Sequence, residues 1–499
     1  MEACREPITR GPSTDPPRNQ VDLNTSRGST ILGVTAAPAA PSVRAELFGP
    51  HRRATTTGIV LLISLVAFES MGVGTAMPAL VRDLGAVSLY AWPFVSFMAA
   101  AVFGTVLGGR WCDRAGPRVP LVGAPLLFGV GLFVAGTATG MPQLLVGRVL
   151  QGLGAGTLSV AVFVLVALVY PERARPAVFG LISSAWVLPT LLGPPVAGTV
   201  TETVSWHWVF LGLVPFVLVA TALVVPAVRQ LGPPEPGRPD AVPRRGVVPA
   251  AFAAAAGVAA LSWASQHASV LAAVVAAGAV VAIVPALRLL LPRGVFRARR
   301  GIPTVVAARG LLAGVFFTVT SYLPLMLNGT HGWSLTTAGI PLIVGSLGWS
   351  AASAWQGRHP DLPRPMLLRT AFCAITVGTA GMLLVAPSWG VPWLAIPLWI
   401  VAGLGMGLGF SSVSYLLLQQ SAPNEVGFHT SAAQIADQLS VATLIGAGGA
   451  LLALLGSPAA ALPILLVGLA AMAALGAVLA TRTAGTGSKQ GGFAPGTPE

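Results

Sequence analysis

The chain has 499 residues, of which 54% are hydrophobic and 9% charged, and its mean hydropathy is +0.77. This balance excludes an ordinary soluble globular protein and predicts a membrane protein with several spans. The net charge of +13 does not indicate nucleic-acid binding, because the arginines lie mostly in short loops and form no basic stripe interleaved with aromatics. Three distant cysteines, Cys4, Cys112 and Cys373, exclude a disulfide framework and a zinc spacing, so we expect no metal and no cofactor.

Apolar runs follow one another along most of the chain. We expect disordered tails at 1–57, which is rich in proline and arginine, and at 482–499. Between them, runs of about 20 residues are long enough for helices that cross a hydrocarbon core of about 30 Å. They predict an all-α polytopic membrane protein with fourteen spans, near 58–80, 90–109, 119–138, 142–169, 177–200, 207–228, 247–265, 269–291, 303–327, 335–356, 366–387, 391–418, 430–455 and 459–481.

Basic residues predict how the spans are oriented, because Arg and Lys concentrate in cytoplasmic loops. Arg53 precedes the first span, and Arg110, Arg114 and Arg118 follow the second. The loops on the opposite side contain no Arg or Lys, with Arg82 as the exception. We therefore expect the chain in the cytoplasmic membrane of a cell, with both termini in the cytoplasm.

An internal repeat divides the spans into two sets. Three features of the first six spans recur roughly 250 residues later, as in duplicated bundles. Gly109 and Asp113 recur as Gly357 and Asp361, Gly152 and Gly156 as Gly403 and Gly407, and Pro78 as Pro324. Six spans with their loops need only about 170 residues, so two extra helices must lie between the halves. We predict six-helix bundles at 58–228 and 303–481, with a connector and two inserted helices at 229–302.

Ionisable residues inside the spans are the first functional candidates, because charge is costly in lipid and marks ion or substrate paths. Of the sixteen acidic residues, only Glu69 and Asp437 fall inside apolar runs. Arg148, in the fourth span, differs from Glu69 in depth by only about 5 Å at 1.5 Å per residue. Burial disfavours an ionised carboxylate, whereas a nearby guanidinium favours it. The two residues predict a carboxyl group that loads and releases a proton; a static pair that fixes helix packing is the alternative.

Asp437 forms a polar patch with Gln434 and Gln438 in the thirteenth span. The patch predicts either a second proton site or a near-interface cluster that water satisfies. Arg309, a third of the way into the ninth span, is expected to extend its guanidinium toward the cytoplasmic boundary.

Two motifs of the first half resemble those of the major facilitator superfamily. The segment 109–118, GRWCDRAGPR, resembles the cytoplasmic loop motif of that family, and Arg148-Val-Leu-Gln151-Gly152 resembles the motif of its fourth helix. The resemblance implies alternating access between two bundles. It also implies a charge latch in the loop formed by Gly109, Asp113, Arg114, Gly116 and Arg118. Without the resemblance, Asp113 would be interpreted as a solvated loop acid, whose surface ion pairs with arginine contribute at most about 1 kcal/mol to stability.

The fifth span is similar to the antiporter pattern of the same family. It has Gly193, Pro194 and Gly198, while Pro189 and Ala197 replace two usual glycines. The three matching residues would let helices approach closely and bend; ordinary membrane-helix packing is the alternative. The first span points to the fourteen-helix drug:proton exporters of the family, since Glu69, nine residues before Pro78, stands where they usually have Asp. The resemblance covers residues 58–481.

Aromatic and amide side chains are candidates for an apolar substrate cavity. We select Phe68, Gln151, Trp186, Tyr322 and Trp349. The alternative for the aromatic residues is a place in the belts that Trp and Tyr form at membrane interfaces.

Together these features predict a proton-coupled exporter of amphipathic small molecules. Glu69, Arg148 and Asp437 would couple transport to protons, with lipid as the surroundings, no nucleic-acid partner and a monomeric chain. An importer or facilitator of the same fold is one alternative, and a non-transporting membrane sensor or scaffold is another. An enzyme is not expected, because the sequence has no metal cluster, nucleophile–base set or phosphate loop.

Overall fold

The computed structural model describes residues 47–50, 52–171, 174–231, 246–267, 269–359, 361–422 and 425–484. Most of both predicted tails and most of the connector before the inserted helices lie outside these ranges. Within them the regular structure is helical, without a strand. Fourteen helical segments of this part of the chain are long and apolar enough to cross a membrane. The predicted all-α fold class with fourteen spans is confirmed.

The first half builds six spans from eight helices. They are α1 (Arg53–Asp83), α2 (Trp92–Ala115), α3 (Arg118–Gly136), α4 (Met141–Val169), α5 (Arg175–Ser184), α6 (Val187–Thr203), α7 (His207–Leu211) and α8 (Val214–Gln230). The fifth span is broken between α5 and α6 because Pro189 has no N–H to donate to the carbonyl of Ala185, four residues earlier. Ser64 Oγ of α1 donates to that carbonyl instead, at 2.9 Å.

The second half follows an inserted pair, α9 (Val247–Ala264) and α10 (Val270–Leu290). Its helices are α11 (Ile302–His331), α12 (Leu335–Ala338), α13 (Ile340–Arg358), α14 (Arg364–Gly381), α15 (Ala395–Gln420), α16 (Val426–Leu455) and α17 (Pro458–Leu479). Proline occupies one of the first two positions of α11, α13, α14 and α17, where its missing N–H costs nothing.

Glycines bring equivalent helices into backbone contact in both halves. A Cβ atom on Gly152 of α4 would overlap the Phe97 carbonyl of α2, and one on Gly403 of α15 would overlap the Gly345 carbonyl of α13. Small residues at such crossings let membrane helices approach closely. The repeated glycines therefore perform the same packing task in each bundle.

The two inserted helices have different surroundings. α9 packs along α2, where the Phe103 and Phe252 rings are 5.7 Å apart and Trp92 Nε1 donates to Gln266 Oε1 at 3.0 Å. α9 also contacts α16 of the second bundle. α10 packs on α9 and is largely exposed, with Val270 83% exposed. α10 is peripheral, whereas α9 touches both bundles.

Candidate functional site

The interior of the first bundle holds an ion pair between α1 and α4. The Glu69 side chain is fully buried and that of Arg148 is 3% exposed. Arg148 Nη1 donates to Glu69 Oε1, and Arg148 Nε donates to the Pro93 carbonyl oxygen at 3.0 Å. The guanidinium carbon lies 4.5 Å from the centre of the Phe97 ring, in cation–π contact. The pair therefore joins α1, α2 and α4 and does not face lipid.

Gln151 extends this network to α3. Its fully buried side chain accepts a hydrogen bond from Arg148 Nη1 through Oε1 and donates from Nε2 to the Gly131 carbonyl at 3.0 Å. Oε2 of Glu69 is buried and has no hydrogen-bond partner in the described part of the chain. An unsatisfied buried group costs about 1–3 kcal/mol, and more when charged. That oxygen is therefore the uncompensated atom of this network.

The second bundle contains another pair, between α11 and α16. Arg309 Nε donates to Asp437 Oδ2 at 2.7 Å, and Arg309 Nη1 donates to Ser414 Oγ at 3.2 Å. The guanidinium carbon lies 3.6 Å from the centre of the Phe410 ring. The Arg309 and Asp437 side chains are 15% and 17% exposed, so this pair is more accessible than Glu69 and Arg148. Arg309, expected to extend toward the membrane boundary, is instead held inside the bundle by the acid.

The polar patch around Asp437 divides between two environments. Gln434 Nε2 donates to Ser159 Oγ of α4 at 2.8 Å, which links the second bundle to the first. Gln438 Oε1 is buried without a hydrogen-bond partner among the described residues. Asp437 therefore does not belong to the Glu69 network. Of the predicted proton-coupling and cavity residues, Glu69, Arg148 and Gln151 are joined by hydrogen bonds in one network.

The loop-motif residues lie where α2 meets α3. Gly116 has a φ of +74°, a left-handed conformation that glycine adopts without steric cost, and this lets the chain turn from α2 into α3. Asp113 lies in the last turn of α2 and is exposed. It has no ion-pair partner within 4.0 Å in the ranges described, and Arg110 is its electrostatic neighbour. Gly109, Arg114 and Arg118 occupy the same junction.

The glycine–proline motif lies on α6, where it contacts both bundles. A Cβ atom on Gly198 would lie 2.8 Å from Thr336 Cα, and one on Gly339 would lie 2.9 Å from Pro194 Cβ. On the other side, a Cβ atom on Gly193 would lie 3.3 Å from Met71 Cβ of α1. The motif therefore allows α6 to pack between α1 and the segment from α12 to α13.

The bundles meet at the end of the molecule where α1 finishes, which we name the Asp83 end; the opposite end, where α2 finishes, is the Asp113 end. Several side-chain hydrogen bonds cross between the bundles at the Asp83 end. Arg82 Nη2 donates to Asn328 Oδ1 at 2.6 Å, Tyr90 Oη donates to the Ser321 carbonyl at 2.8 Å, and Glu202 accepts from Leu335 N and from Thr336 Oγ1.

Glu202, Asn328 and Tyr90 were not selected from the sequence. Their partners are far away along the chain, so no local pattern identifies them. A signal does exist for Arg82, because it is the basic residue on the side that otherwise lacks Arg and Lys.

The predicted cavity residues are distributed over several places. Phe68 borders an apolar groove of about 380 Å³ between α1, α6, α7 and α8. Trp186 is 38% exposed at the break between α5 and α6. Trp349 lies against Phe410, with ring centres 5.4 Å apart. Tyr322 is buried at the Asp83 end, where Oη donates to the Ile445 carbonyl at 2.7 Å. These side chains do not surround one common cavity.

Within the described residues, no group of three or more His, Cys, Asp or Glu side chains is arranged to hold a metal ion.

Comparisons with known proteins agree with the helix arrangement. The sequence model of the Major Facilitator Superfamily matches residues 59–443. An uncharacterized MFS-type transporter of Mycobacterium tuberculosis is 28% identical over 421 residues, covering 80% of this chain and 59% of the relative. The chain thus spans less than two thirds of that relative's length. Multidrug resistance protein 3 of Bacillus subtilis is 25% identical over 367 residues, covering 71% of this chain and 70% of the relative.

A solved structure gives a similar result for the fold. A POT family transporter in complex with a thioalcohol-conjugated peptide superposes with a TM-score of 0.64 at 14% identity, covering 87% of this chain and 96% of that one. At this identity the likeness concerns the path of the chain and not the molecule transported.

Proposed function

The chain belongs to the major facilitator superfamily, which consists of transporters and not enzymes, and we propose that it exports amphipathic small molecules in exchange for protons. The buried Glu69–Arg148 pair carries the proposal. An intramembrane carboxylate facing the interior of a bundle is costly and is typical of a proton or substrate path. The Bacillus subtilis relative, named a multidrug resistance protein, supports export as the direction.

The orientation follows from the arginines. The Asp113 end carries Arg110, Arg114 and Arg118, which supports a cytoplasmic position for that end and for both termini in the cell membrane. The contacts at the Asp83 end then lie on the outer face, whereas the hydrogen bond from Gln434 to Ser159 joins the bundles nearer the Asp113 end. In this proposal the structure represents a carrier that is closed to the outside.

The transport cycle uses the pair as its coupling device. With Glu69 ionised, the carrier accepts a compound from the cytoplasm or the inner leaflet. Opening of the Asp83 end then exposes the site to external protons. Protonation of Glu69 disfavours the bound compound and returns the carrier to the closed-outside state, because a ligand shifts a conformational equilibrium only by its different affinities for the two states. Asp437, paired with Arg309, is a second proton site in this scheme.

The remaining predicted residues have supporting roles. The absence of a described ion-pair partner for Asp113 fits a latch, with Gly109, Arg114, Gly116 and Arg118, that forms only when the outer face opens. Gly193, Pro194 and Gly198 on α6 allow the movement. Trp349, beside Phe410, offers an aromatic surface for an apolar cargo. Phe68, Trp186 and Tyr322 lie apart from this surface in the closed-outside structure, so in this proposal they contact the cargo at other stages of the cycle. We propose a monomeric carrier surrounded by lipid.

The test begins with a growth assay. An efflux-deficient host that expresses the protein is exposed to a panel of toxic amphiphiles to identify a transported compound. Purified protein in liposomes then receives an imposed pH gradient, and accumulation of that compound is measured for the wild type, Glu69→Gln and Glu425→Gln. Glu425 is an exposed acid at the start of α16, so its variant is the control. We expect Glu69→Gln to lose gradient-driven accumulation and the control to keep it. Full accumulation by Glu69→Gln would contradict the proposal.

A further inference from the structure

The structure contains a residue that is placed to control the Glu69–Arg148 pair without touching the carboxylate. We propose that Gln151 is a positioning residue that holds the Arg148 guanidinium when Glu69 carries a proton, and that it thereby sets the pH at which the carrier changes conformation. This inference rests on the proposed function. It gives Gln151 a place beside Arg148, and not in a substrate cavity.

The orientation of the Gln151 amide is fixed by its two partners. Nε2 donates to the Gly131 carbonyl oxygen at 3.0 Å, and a carbonyl oxygen can only accept. The opposite atom of the amide, Oε1, therefore points at Arg148 Nη1 and accepts from it. Gln151 follows Arg148 by three residues on α4, so both side chains leave the same face of the helix.

The backbone around this amide is closely packed. A Cβ atom on Gly131 of α3 would lie 2.6 Å from the Gln151 backbone nitrogen, and a Cβ atom on Gly147 of α4 would lie 2.6 Å from the Ala135 backbone nitrogen. The two helices thus touch directly on both sides of the amide. The Gly131 carbonyl is a rigid anchor, and Gln151 transmits that rigidity to Arg148.

The charges of Glu69 and Arg148 explain why Gln151 matters in one protonation state more than in the other. In the helices packed around α1, Arg148 is the one charged group among the described residues that interacts electrostatically with Glu69. A proton on Glu69 removes the one negative partner that Arg148 has among the described residues, and the buried cation then depends on neutral acceptors. Among the described residues, the neutral oxygen atoms that accept hydrogen bonds from Arg148 are the Pro93 carbonyl oxygen and Gln151 Oε1.

Removal of one acceptor must therefore affect the two protonation states unequally. With Glu69 ionised, the carboxylate still compensates Arg148. With Glu69 protonated, Arg148 keeps the Pro93 carbonyl and the Phe97 ring but no anion, so the loss of Gln151 disfavours the protonated state more. Gln151→Leu should therefore need a more acidic solution to protonate Glu69. Gln151→Glu adds a second anion beside Arg148, opposes ionisation of Glu69 and should have the opposite effect.

A spin-label experiment measures this without any transported compound. Labels are attached to cysteines introduced at Val204 and Leu454, which are 67% and 70% exposed and lie after α6 and near the end of α16, in different bundles at the Asp83 end. The distance distribution between the labels gives the fraction of carriers that are closed at this end. For the wild type we expect that fraction to rise as the pH falls.

The variants are compared by the pH midpoint of this transition. We expect Gln151→Leu to move it down, and Gln151→Glu to move it up, by roughly one pH unit each, the scale of one hydrogen bond to a charged group. Gln356→Leu is the matched control, because Gln356 is also a buried glutamine but lies on α13, and its midpoint should equal that of the wild type. A residue that only supports packing would not move the midpoint in opposite directions.

Glu69→Gln separates the two possible failures. If it abolishes the pH dependence while both Gln151 variants keep the wild-type midpoint, or move it in the same direction, the inference about Gln151 is overturned and the proposed function stands. If Glu69→Gln keeps the wild-type pH dependence, the proposed function fails and the inference fails with it. If one Gln151 variant does not fold, the direction of the midpoint shift in the other decides.

Discussion

Arg148 is a buried cation that connects several elements of the first bundle. It is nearly inaccessible and contacts Glu69, Gln151 and the Pro93 carbonyl. Removing one member of a buried ion pair leaves the other charge without compensation, whereas replacing both members with apolar side chains is often neutral. The pair is therefore a poor source of stability and a strong constraint on which residues can be changed alone.

We predict that Arg148→Met lowers the free energy of unfolding by about 3–5 kcal/mol, and that the double variant Glu69→Met/Arg148→Met recovers most of the loss. Thermal unfolding in detergent measures both. Arg309→Met is the comparison, and it should cost less because its partner Asp437 is 17% exposed and solvent screens the remaining charge. A double variant as unstable as Arg148→Met alone would show that the charge is not the cause.

At the scale of helices, the end of α6 and the start of α12 are joined across the bundles by hydrogen bonds to one carboxylate. Glu202 accepts hydrogen bonds from Leu335 N and, at 2.8 Å, from Thr336 Oγ1. Gly198 lets the backbones approach closely enough for these bonds, because a Cβ atom there would press on Thr336. Opening of the Asp83 end must break both hydrogen bonds. In the proposed cycle, Glu202 therefore biases the conformational equilibrium toward the closed arrangement.

We predict that Glu202→Gln increases the fraction of carriers open at the Asp83 end about tenfold. The reason is that hydrogen bonds to a carboxylate stabilise the closed arrangement by about 1.5 kcal/mol more than the same bonds to a neutral amide. The spin-label distance between the two bundles measures the fraction. The control is Glu425→Gln at the Asp113 end, which should leave it unchanged. An unaltered distribution in Glu202→Gln would mean that other contacts hold this end closed.

The helices themselves follow from sequence patterns, while their contacts do not. The lengths of the apolar runs place α1, α4 and α11, and the repeated glycines anticipate the crossings of α2 with α4 and of α13 with α15. The pairing of Arg309 with Asp437 has no such pattern, because it depends on which faces of α11 and α16 meet. The partners of Glu202 and Tyr90 lie more than a hundred residues away, so only the folded chain reveals them.

At the scale of the whole molecule, α9 is the inserted helix that contacts both bundles. It follows α2 from Trp92, at one end, to Phe103. Its contact with α16 includes Ser262 beside Gly446, where a Cβ atom would lie 3.3 Å from Ser262 Oγ. Because α9 contacts the first bundle along much of its length and the second bundle through a glycine, we expect α9 to move with the first bundle and to slide along the second.

Cross-linking distinguishes these two contacts. In a cysteine-free background, we predict that a short cross-link between Phe103→Cys and Phe252→Cys leaves transport above half of the uncross-linked rate, because α9 and α2 move together. A cross-link between Ser262→Cys and Gly446→Cys should reduce transport at least tenfold, because it joins the bundles. Equal inhibition by both would refute the assignment of α9 to the first bundle.

The central claim is that one buried carboxyl group exchanges a proton for the transported compound. The most direct test is proton release by purified protein in weakly buffered detergent solution, followed with a pH indicator as a compound identified in the growth assay is added. We predict that the wild type releases protons when the compound binds and that Asp437→Asn releases fewer. Glu69→Gln should still bind the compound but release fewer protons than the wild type, because it lacks the proton of Glu69. Release by Glu69→Gln equal to that of the wild type would contradict the account.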